Sequence, residues 1–541
     1  MAGSSTHSSP LSGQTAISDT ESQWLHKVAV WCKGEFDGET RVGFWHPELR
    51  AIRSRVRKEW TQTTLILCMC ILGVLSLFWG SLYTVRNHLH TLDVWIVDFD
   101  GRVAPAVNET SSQIVGSTII ETARAREASP QPHISYHIKL AADFDYDPMK
   151  VREAIYNNKA FSAIIVNPNA SSLLRQAVTR GDALYDPKHA CQTIYVEARD
   201  QVAINSYIIP ELNAFQHRVS SAFADGWIPE VLGLIANGTT LTTLPPQTLS
   251  PAIGFTTINL RPFGPSQVLP AVTVGLIYLI IIAFFSYTFF LPTHTLFTAQ
   301  CSPGSDTYHR KLYFGQLVFW KYMSTFIAYA FMSLSYSFVS LAFQIPFSGQ
   351  SYSHVDPPPA GMSVNGYGHA SFVVYWAINY LGMCALGFAC ENVAMVVGQP
   401  FTAIWLIFWV ISNVCTAFYP LELAAGVYGY GLFFPLYNVV KATRVVLFDL
   451  TPEHMGRHIG ILVAWWVVNT SVFPLAARVF RWKTCQRLAE GARKAQERRL
   501  ENQTLDLEKA ASASSDGRGS DVRPEARADL GSLRTSESER S

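Results

Sequence analysis

Six long apolar runs interrupt an otherwise mixed sequence. A helix needs about 20 apolar residues to cross the hydrocarbon core of a bilayer, and the first run, from Thr61 to Val85, contains no charged residue. That run begins too far into the chain, and is too long, for the apolar region of a cleaved signal peptide. The pattern therefore predicts an α-helical multi-pass membrane protein with six spans, at residues 61–85, 268–291, 322–347, 372–390, 401–419 and 459–473.

The segment between the first two runs, residues 86–267, has a different pattern. Short apolar stretches typical of strands alternate in it with stretches of helical spacing. Alternating strands and helices predict an α/β domain, and the segment is long enough to fold as one. The predicted strands are "VWIVDF" (94–99), "ISYHIKL" (134–140), "SAIIV" (162–166) and "TIYVEA" (193–198).

Basic residues near the ends of the runs predict the orientation. Lys and Arg are enriched in cytoplasmic loops, and the loop 348–371 contains neither. Both termini are therefore predicted to be cytoplasmic and the α/β domain to be extracytoplasmic. The basic residues lie before the first run (Arg41, Arg50, Arg53, Arg55, Arg57, Lys58) and after the last (Arg478, Arg481, Lys483, Arg487, Arg493, Lys494, Arg498, Arg499).

The remaining segments flank this core. Residues 1–35 are predicted to be disordered because they are polar and rich in Ser, Thr and Gly, and residues 36–60 to form a basic interfacial helix. Within the membrane domain, 268–477, the segment 435–448 has the spacing of an outer interfacial helix. Residues 478–541 are predicted to be a basic and then disordered cytoplasmic tail.

Composition narrows the classes of function. Only 15% of the residues are charged, and 42 Lys and Arg balance 41 Asp and Glu. That balance gives no overall field for nucleic acid, so no nucleic-acid partner is expected. The nine cysteines form no metal motif, and no G-x-x-x-x-G-K-[ST] phosphate-binding loop is present, so no metal or cofactor is predicted. Three sequons in the α/β segment are candidates for N-glycosylation: Asn108, Asn169 and Asn237.

One motif suggests an enzyme. "LDVWIVDFDG" (92–101) ends a strand with Asp98 and Asp100, the spacing of the nucleophile and general acid in haloacid-dehalogenase-type phosphatases. The acidic "GDALYD" (181–186) that should complete a magnesium site follows a helical stretch instead of a strand, and its Gly and the following Pro187 favour a helix end and a turn. We therefore interpret the two aspartates as closing a strand before a turn at Gly101, and we predict no catalytic residues.

The membrane runs hold a few unusual polar residues. Glu391 and Asn392 lie at the end of the fourth run, and Asn413 lies inside the fifth. An ionisable residue within a membrane is a functional-site hypothesis by default; the alternative is that Glu391 caps the cytoplasmic end of its helix and is satisfied by a neighbour. Both alternatives stay open. Lys321, at the start of the third run, is interpreted as an anchor whose amine reaches the cytoplasmic face.

Five stretches carry a resemblance to a known family: "LFWGSLYTVRNHLHTLDVWIVDFDG", "KAFSAIIVNPNASSLLRQA", "ACENVAMVVGQPF", "FFPLYNVVKATRVVLFD" and "MGRHIGILVAWWVVN". Together they resemble the fungal nitrosoguanidine-resistance protein family, a group similar to ABC-2-type permeases and more distantly to the phage-infection-protein type. The resemblance covers about residues 40–485. It implies a multi-pass protein of the plasma membrane and transfers no catalytic residue.

Two functions follow from this resemblance. The first is export of, or resistance to, toxic hydrophobic compounds, through movement of the compounds or of lipids, with Glu391, Asn392 and Asn413 along the route. Such a protein would contact membrane lipids and act as a homodimer or with a separate energy-supplying subunit. The second is a regulator or scaffold that transports nothing and alters lipid asymmetry and permeability.

Overall fold

A computed structural model describes residues 43–103, 113–236, 244–295, 297, 312–347, 366–398 and 401–515. The chain divides into two compact units, Met1–Cys70 and Ile71–Ser541. In the first unit, a turn of 3₁₀ helix at Pro47–Leu49 leads into helix α1, Arg50–Cys70. Arg53 on α1 donates to the carbonyl of His46 (3.0 Å) and lies over the Trp45 ring. The predicted interfacial helix is thus described from residue 43 onward, and it continues without a break into apolar sequence.

The second unit begins with a π-helical turn, Ile71–Leu75, and helix α2, Ser76–Tyr83, and continues into the α/β domain. The strands are β1 Asp93–Asp98, β2 Ser135–Lys139, β3 Ser162–Val166, β4 Cys191–Tyr195 and β5 Phe255–Asn259. The helices are α3 Ile114–Glu127, α4 Pro148–Tyr156, α5 Ala170–Arg180 and α6 Ile209–Ala236. The predicted α/β domain is confirmed, with one strand, β5, that the sequence pattern did not reveal.

The five strands form one mixed sheet in the order β2-β1-β3-β4-β5. β1 is parallel to both β2 and β3, β4 is antiparallel to β3, and β5 is parallel to β4. Every residue of β3 is buried, which fits a central strand covered on both faces. On one face, Ile96 and Ile164 pack in a core with Phe215 of α6. On the other, Val97 and Ile165 belong to a core that continues into the membrane helices.

The membrane half contains α7 Val274–Thr295, α8 Phe314–Ala342, α9 Ser371–Val397, α10 Phe401–Ala417, α11 Pro435–Phe448 and α12 Met455–Ser515. Among the described residues, five helices are long and apolar enough to span a membrane: Pro47–Tyr83, Val274–His294, Phe314–Ala342, Gly368–Val397 and Met455–Arg487. The count rises to six if Gly426–Phe433 and α11, which meet at a bend of 68°, form one broken span. The chain is therefore a multi-pass membrane protein.

Three elements differ from the predictions. The fifth predicted span is α10, whose 17 residues extend only about 25 Å. The predicted outer interfacial helix, α11, is buried at every position except Lys441, because its polar as well as its apolar faces pack against protein. The last helix continues past Leu500 to Ser515, because Ala and Glu, which together with Ser and Arg suggested disorder, are also strong helix formers. Residues 1–35, predicted to be disordered, lie outside the described residues.

Candidate functional site

The buried face of α8 is polar along its length. Within this apolar helix the buried positions after Leu317 recur every three or four residues, which places them on one face. They are Lys321, Thr325, Tyr329, Ser333, Ser337 and Ser340. From Lys321 to Ser340 this stripe is about 28 Å long, close to the roughly 30 Å thickness of the hydrocarbon core. The regular spacing of these polar residues is visible in the sequence, whereas the predictions for Glu391 and Lys321 rested on their charge alone.

Helix α9 lies antiparallel to α8 and faces the stripe with its own polar residues at four-residue spacing. The Tyr375 and Ser340 hydroxyls are 2.9 Å apart, and the Asn379 amide donates to the Ser337 hydroxyl at 3.0 Å. Trp376 Nε1 donates to the Ser333 hydroxyl at 3.2 Å. We call the set Lys321, Thr325, Tyr329, Ser333, Ser337, Ser340, Tyr375, Asn379 and Glu391 the polar seam. Its members are all buried, so the seam is closed.

Gly387 allows the two helices to approach at the middle of the seam. A Cβ atom at this position would lie 2.5 Å from the Tyr329 hydroxyl oxygen and 2.7 Å from the Ala283 Cβ atom of α7. The Tyr329 hydroxyl donates to the Ala283 carbonyl at 3.4 Å. The missing side chain of Gly387 therefore makes room for the tyrosine ring that bridges three helices.

At one end of the seam, Lys321 and Glu391 form an ion pair inside the protein. Lys321 Nζ lies 3.6 Å from Glu391 Oε1, with side-chain exposures of 4% and 1%. No hydrogen bond to Lys321 Nζ or to either carboxylate oxygen falls within 3.5 Å among the described residues. The interpretation of Lys321 as an anchor that reaches the cytoplasmic face is wrong, because its ammonium group is enclosed by protein.

Two aromatic rings also hold the ammonium group of Lys321. Nζ lies 4.9 Å from the Tyr287 ring centroid on α7 and 4.7 Å from the Phe480 ring centroid on α12. Such contacts are worth about 2 kcal/mol or more where water is excluded. His294, also on α7, is buried near Lys321, and its Nδ1 has no hydrogen-bond partner among the described residues. The charged end of the seam therefore involves four helices.

The structure separates the three residues predicted for this site. Asn392 Nδ2 donates to the Asn469 carbonyl at 2.9 Å, which ties α9 to α12 next to Glu391. Asn413 has different partners: its Nδ2 donates to the Trp409 carbonyl at 2.9 Å and its Oδ1 accepts from Leu436 N at 3.2 Å. Asn413 thus satisfies a backbone N–H at the start of α11, a structural role. Glu391 meets the neighbouring helix through Lys321.

The two aspartates of the opening motif are buried at the carboxyl end of β1. Asp98 Oδ1 accepts from Asp100 N at 3.0 Å, and its other oxygen lies 3.6 Å from Arg102 Nη2. Burial raises the pKa of Asp98 from 3.8 to about 6. Asp100 accepts from the backbone N–H of Ser171 at 3.1 Å and from its hydroxyl. Gly101 has the left-handed backbone (φ 64°) of the predicted turn.

The acidic motif that would complete a phosphatase site lies elsewhere. Ser171, which binds Asp100, is at the start of α5, whereas Asp182 follows the end of that helix. Eleven residues of helix extend about 16 Å. Gly181 ends α5 in the left-handed conformation, and Asp182 accepts from Leu184 N at 2.9 Å. The expected helix end and turn are confirmed, and Asp182 lies too far from Asp98 to share a metal with it.

Ion pairs connect the α/β domain to α11. Arg261 Nη2, just after β5, lies 3.1 Å from Asp449 Oδ2 at the end of α11, and Arg261 Nε donates to the Asp449 carbonyl at 3.0 Å. Asp200 in the domain lies 3.9 Å from Arg444 of α11, which donates to the Arg199 carbonyl at 2.9 Å. We call Arg261, Asp449, Asp200 and Arg444 the junction. The domain and α11 each contribute one cation and one anion to it.

Comparisons with known proteins complete this description. Residues 63–471 match the family described as Protein of unknown function (DUF3533). The chain belongs to this family. It is 26% identical over 463 residues to a protein of Saccharomyces cerevisiae named uncharacterized endoplasmic reticulum membrane protein YJR015W, covering 83% of this chain and 85% of that protein. No solved structure matches the chain.

The predicted glycosylation sites have different positions. Asn108 and Asn237 lie outside the described residues. Asn169 is half-buried at the start of α5, and Ser171 of its sequon is buried against Asp100. Glycosylation of Asn169 would therefore have to precede folding of this turn.

Proposed function

We propose that this protein moves amphipathic molecules, either membrane lipids or lipid-like toxic compounds, across the bilayer along the polar seam, and thereby contributes to resistance. The observation that supports the proposal is the length of the seam. It extends about 28 Å between α8, whose opposite face is apolar and exposed, and α9, most of whose residues are buried. A polar headgroup needs such a track because an unsatisfied polar group in hydrocarbon costs several kcal/mol.

Movement along the seam requires α8 and α9 to separate. Hydrogen bonds between membrane helices contribute about 0.6 kcal/mol each on average. The three side-chain bonds between α9 and Ser333, Ser337 and Ser340 therefore contribute only about 2 kcal/mol to the closed state. A passing headgroup would replace these bonds with its own, which keeps the cost of opening low.

The experiment uses the purified full-length chain in liposomes of phosphatidylcholine and phosphatidylserine. One probe is a fluorescent NBD-labelled phosphatidylcholine, whose transfer between leaflets is measured by dithionite quenching, and the second is rhodamine 6G. We expect faster transfer than in protein-free liposomes, and a several-fold reduction in the double variant Ser333→Ala, Ser337→Ala. The matched control is Ser335→Ala on the exposed face of α8, whose hydroxyl bonds only to the Phe331 carbonyl of its own helix. Equal rates in the double variant and the control would exclude the seam as the route.

The proposal includes an orientation and a compartment. The basic segments favour cytoplasmic termini and an α/β domain outside the cytoplasm, and the resemblance favours the plasma membrane. The yeast relative is named for the endoplasmic reticulum, which is the competing compartment. Microscopy of a chain tagged at either terminus, with protease protection of each tag, distinguishes these outcomes.

A second candidate function has one observation in its favour. The seam residues are paired with each other and buried, as expected of a static contact between helices. In that case the protein is a regulator or scaffold that affects lipid asymmetry through partners. Liposomes with wild-type protein would then transfer neither probe faster than empty ones, although lipid asymmetry would change in cells that lack the protein.

A further inference from the structure

Glu391 is a buried carboxylate with unusually few stabilising contacts. Lys321 lies at 3.6 Å, beyond the distance of a good charge-assisted hydrogen bond, and the Thr325 side chain of α8 is a second group that favours the ionised carboxylate. A carboxylate built to remain ionised in a protein interior normally accepts several hydrogen bonds. The geometry at Glu391 therefore permits both the ionised and the protonated form.

We propose that Glu391 is the proton-binding site of this protein, and that a proton gradient across the membrane drives movement along the seam. This inference rests on the proposed function and adds an energy source to it. In the step itself, a proton adds to a carboxylate oxygen of Glu391 to form an O–H bond, and the same bond breaks on release. Lys321 keeps its proton throughout, so the net charge of the pair changes from zero to +1.

The surroundings of Lys321 make this step feasible. When Glu391 is neutral, the ammonium group loses its counter-ion, but it keeps the faces of Tyr287 and Phe480 at 4.9 and 4.7 Å. Cation–π contacts of this kind recover about 2 kcal/mol or more in a dry site. The two rings therefore supply a second binding mode for the cation, which an ordinary buried ion pair lacks.

Polar groups lie near the pair on α7, α8 and α9. From α7 come Tyr287 and His294, from α8 Thr325 and Tyr329, and on α9 Cys390 precedes Glu391. On α12, Lys483 bonds to the Val396 carbonyl. His294 is the group suited to proton exchange, because it is buried near Lys321 and its Nδ1 has no partner among the described residues.

The direct test measures the proton. Infrared difference spectra of the full chain in lipid, recorded across pH, report the C=O stretch of protonated carboxyl groups. We expect a titrating band that is absent in Glu391→Gln and retained in Glu453→Gln, a control carboxylate paired with Lys159 at the surface. In Lys321→Met the midpoint should rise by about one to three pH units, because the neighbouring cation favours the ionised form. A carboxylate that stays ionised throughout the range of the folded protein would overturn the proposal.

The transport test uses the same liposomes and probes with and without an imposed pH gradient. We expect a tenfold proton gradient to change the wild-type transfer rate several-fold, and the ratio of rates with and without gradient to fall to one in Glu391→Gln. The two proposals can fail separately. A titrating Glu391 without probe transfer leaves the proton site and rejects transport of these probes. Transfer that ignores the gradient, with no titrating band, rejects the proton site alone.

Discussion

The seam and the junction each contain a buried ion pair, and the two pairs are built differently. At the junction, Asp449 accepts through its side chain from Arg261 (3.1 Å) and from Gly366 N (3.2 Å), while its carbonyl accepts from Arg261 Nε and the Tyr156 hydroxyl. In the seam, Glu391 has one cation at 3.6 Å. A forked guanidinium fixes a carboxylate through several directed bonds, whereas an ammonium group acts as a point charge. The ion pair at the junction is therefore suited to a permanent contact, and the ion pair in the seam to a contact that forms and breaks.

The largest expected effect is at the junction. Asp449→Ala removes the anion and leaves the Arg261 guanidinium, 6% exposed, beside a void, so we expect a loss of about 3–5 kcal/mol of stability. Thermal unfolding in detergent, followed by tryptophan fluorescence, measures it. Lys159→Ala, which breaks the exposed pair with Glu453, should cost no more than about 1 kcal/mol. Similar losses in both variants would show that the junction is no more than a surface contact.

Asp98, at the end of β1 in the α/β domain, is a third carboxylate to compare with Asp449 and Glu391, and it is buried. Because its pKa is raised from 3.8 to about 6, the folded state binds the proton more tightly than the unfolded state. The protonated Asp98 therefore contributes its full stabilisation of the folded state below about pH 4. This contribution to the free energy of unfolding, about 3 kcal/mol, is lost as the pH rises through about 6. Asp98→Asn should flatten this part of the stability profile.

The control for that profile is Asp182→Asn, an exposed aspartate in the same domain. In this variant the fall in stability between pH 4 and pH 6 that is assigned to Asp98 should still be present. A wild-type stability that does not fall between pH 4 and pH 6 relative to that of Asp98→Asn would contradict the assignment.

Gly387→Ala tests how closely the seam is packed. The added methyl group would meet Tyr329 and Ala283 at 2.5–2.7 Å, and overpacking of this kind costs about 1–3 kcal/mol. Gly460→Ala in α12, where a Cβ atom meets nothing within 4 Å, should be neutral or slightly stabilising. The difference in unfolding temperature between the two variants is the measurement, and equal temperatures would mean that the helices are not in close contact at Gly387.

The smallest expected effect concerns single hydrogen bonds. Ser337→Ala removes the acceptor of the Asn379 amide and should cost about 0.6 kcal/mol. Ser335→Ala, on the exposed face of the same helix, should change stability less. A double-mutant cycle of Ser337 with Asn379 isolates the energy of this bond. A coupling energy near zero would show that the bond does not stabilise the seam.

Local patterns in the sequence were enough to predict four strands, the α/β domain and most of the membrane helices. The rarity of charge in apolar runs also identified Glu391. Its partner could not be predicted in the same way, because Lys321 and Glu391 are 70 residues apart in sequence. Their contact depends on how α8 and α9 are rotated and shifted relative to each other. The same limit applies to β5, whose pairing with β4 rests on a sheet edge and not on a strong local pattern.

One prediction about a helix failed for a related reason. Helix α11 has the amphipathic spacing of Val439, Val440, Val445 and Val446, but Asn438, Thr443 and Arg444 on its other faces are also buried. Hydropathy cannot distinguish a helix at a lipid interface from one enclosed by protein, because both surroundings are apolar. The contact of Asn413 with the backbone N–H of Leu436 could not be predicted for the same reason, because the sequence does not place the two residues near each other.

The junction also has a consequence for the order of events during synthesis. Arg261 leaves the ribosome long before Asp449, about 190 residues later in the chain, a delay of roughly 10–40 s at ordinary rates of translation. During that interval the α/β domain has been made, but the charges that fix its position do not yet exist. Arg261 and Asp200 therefore remain solvated until their partners on α11 have been synthesised. The domain is made first, and its attachment is completed only when the last membrane helices are inserted.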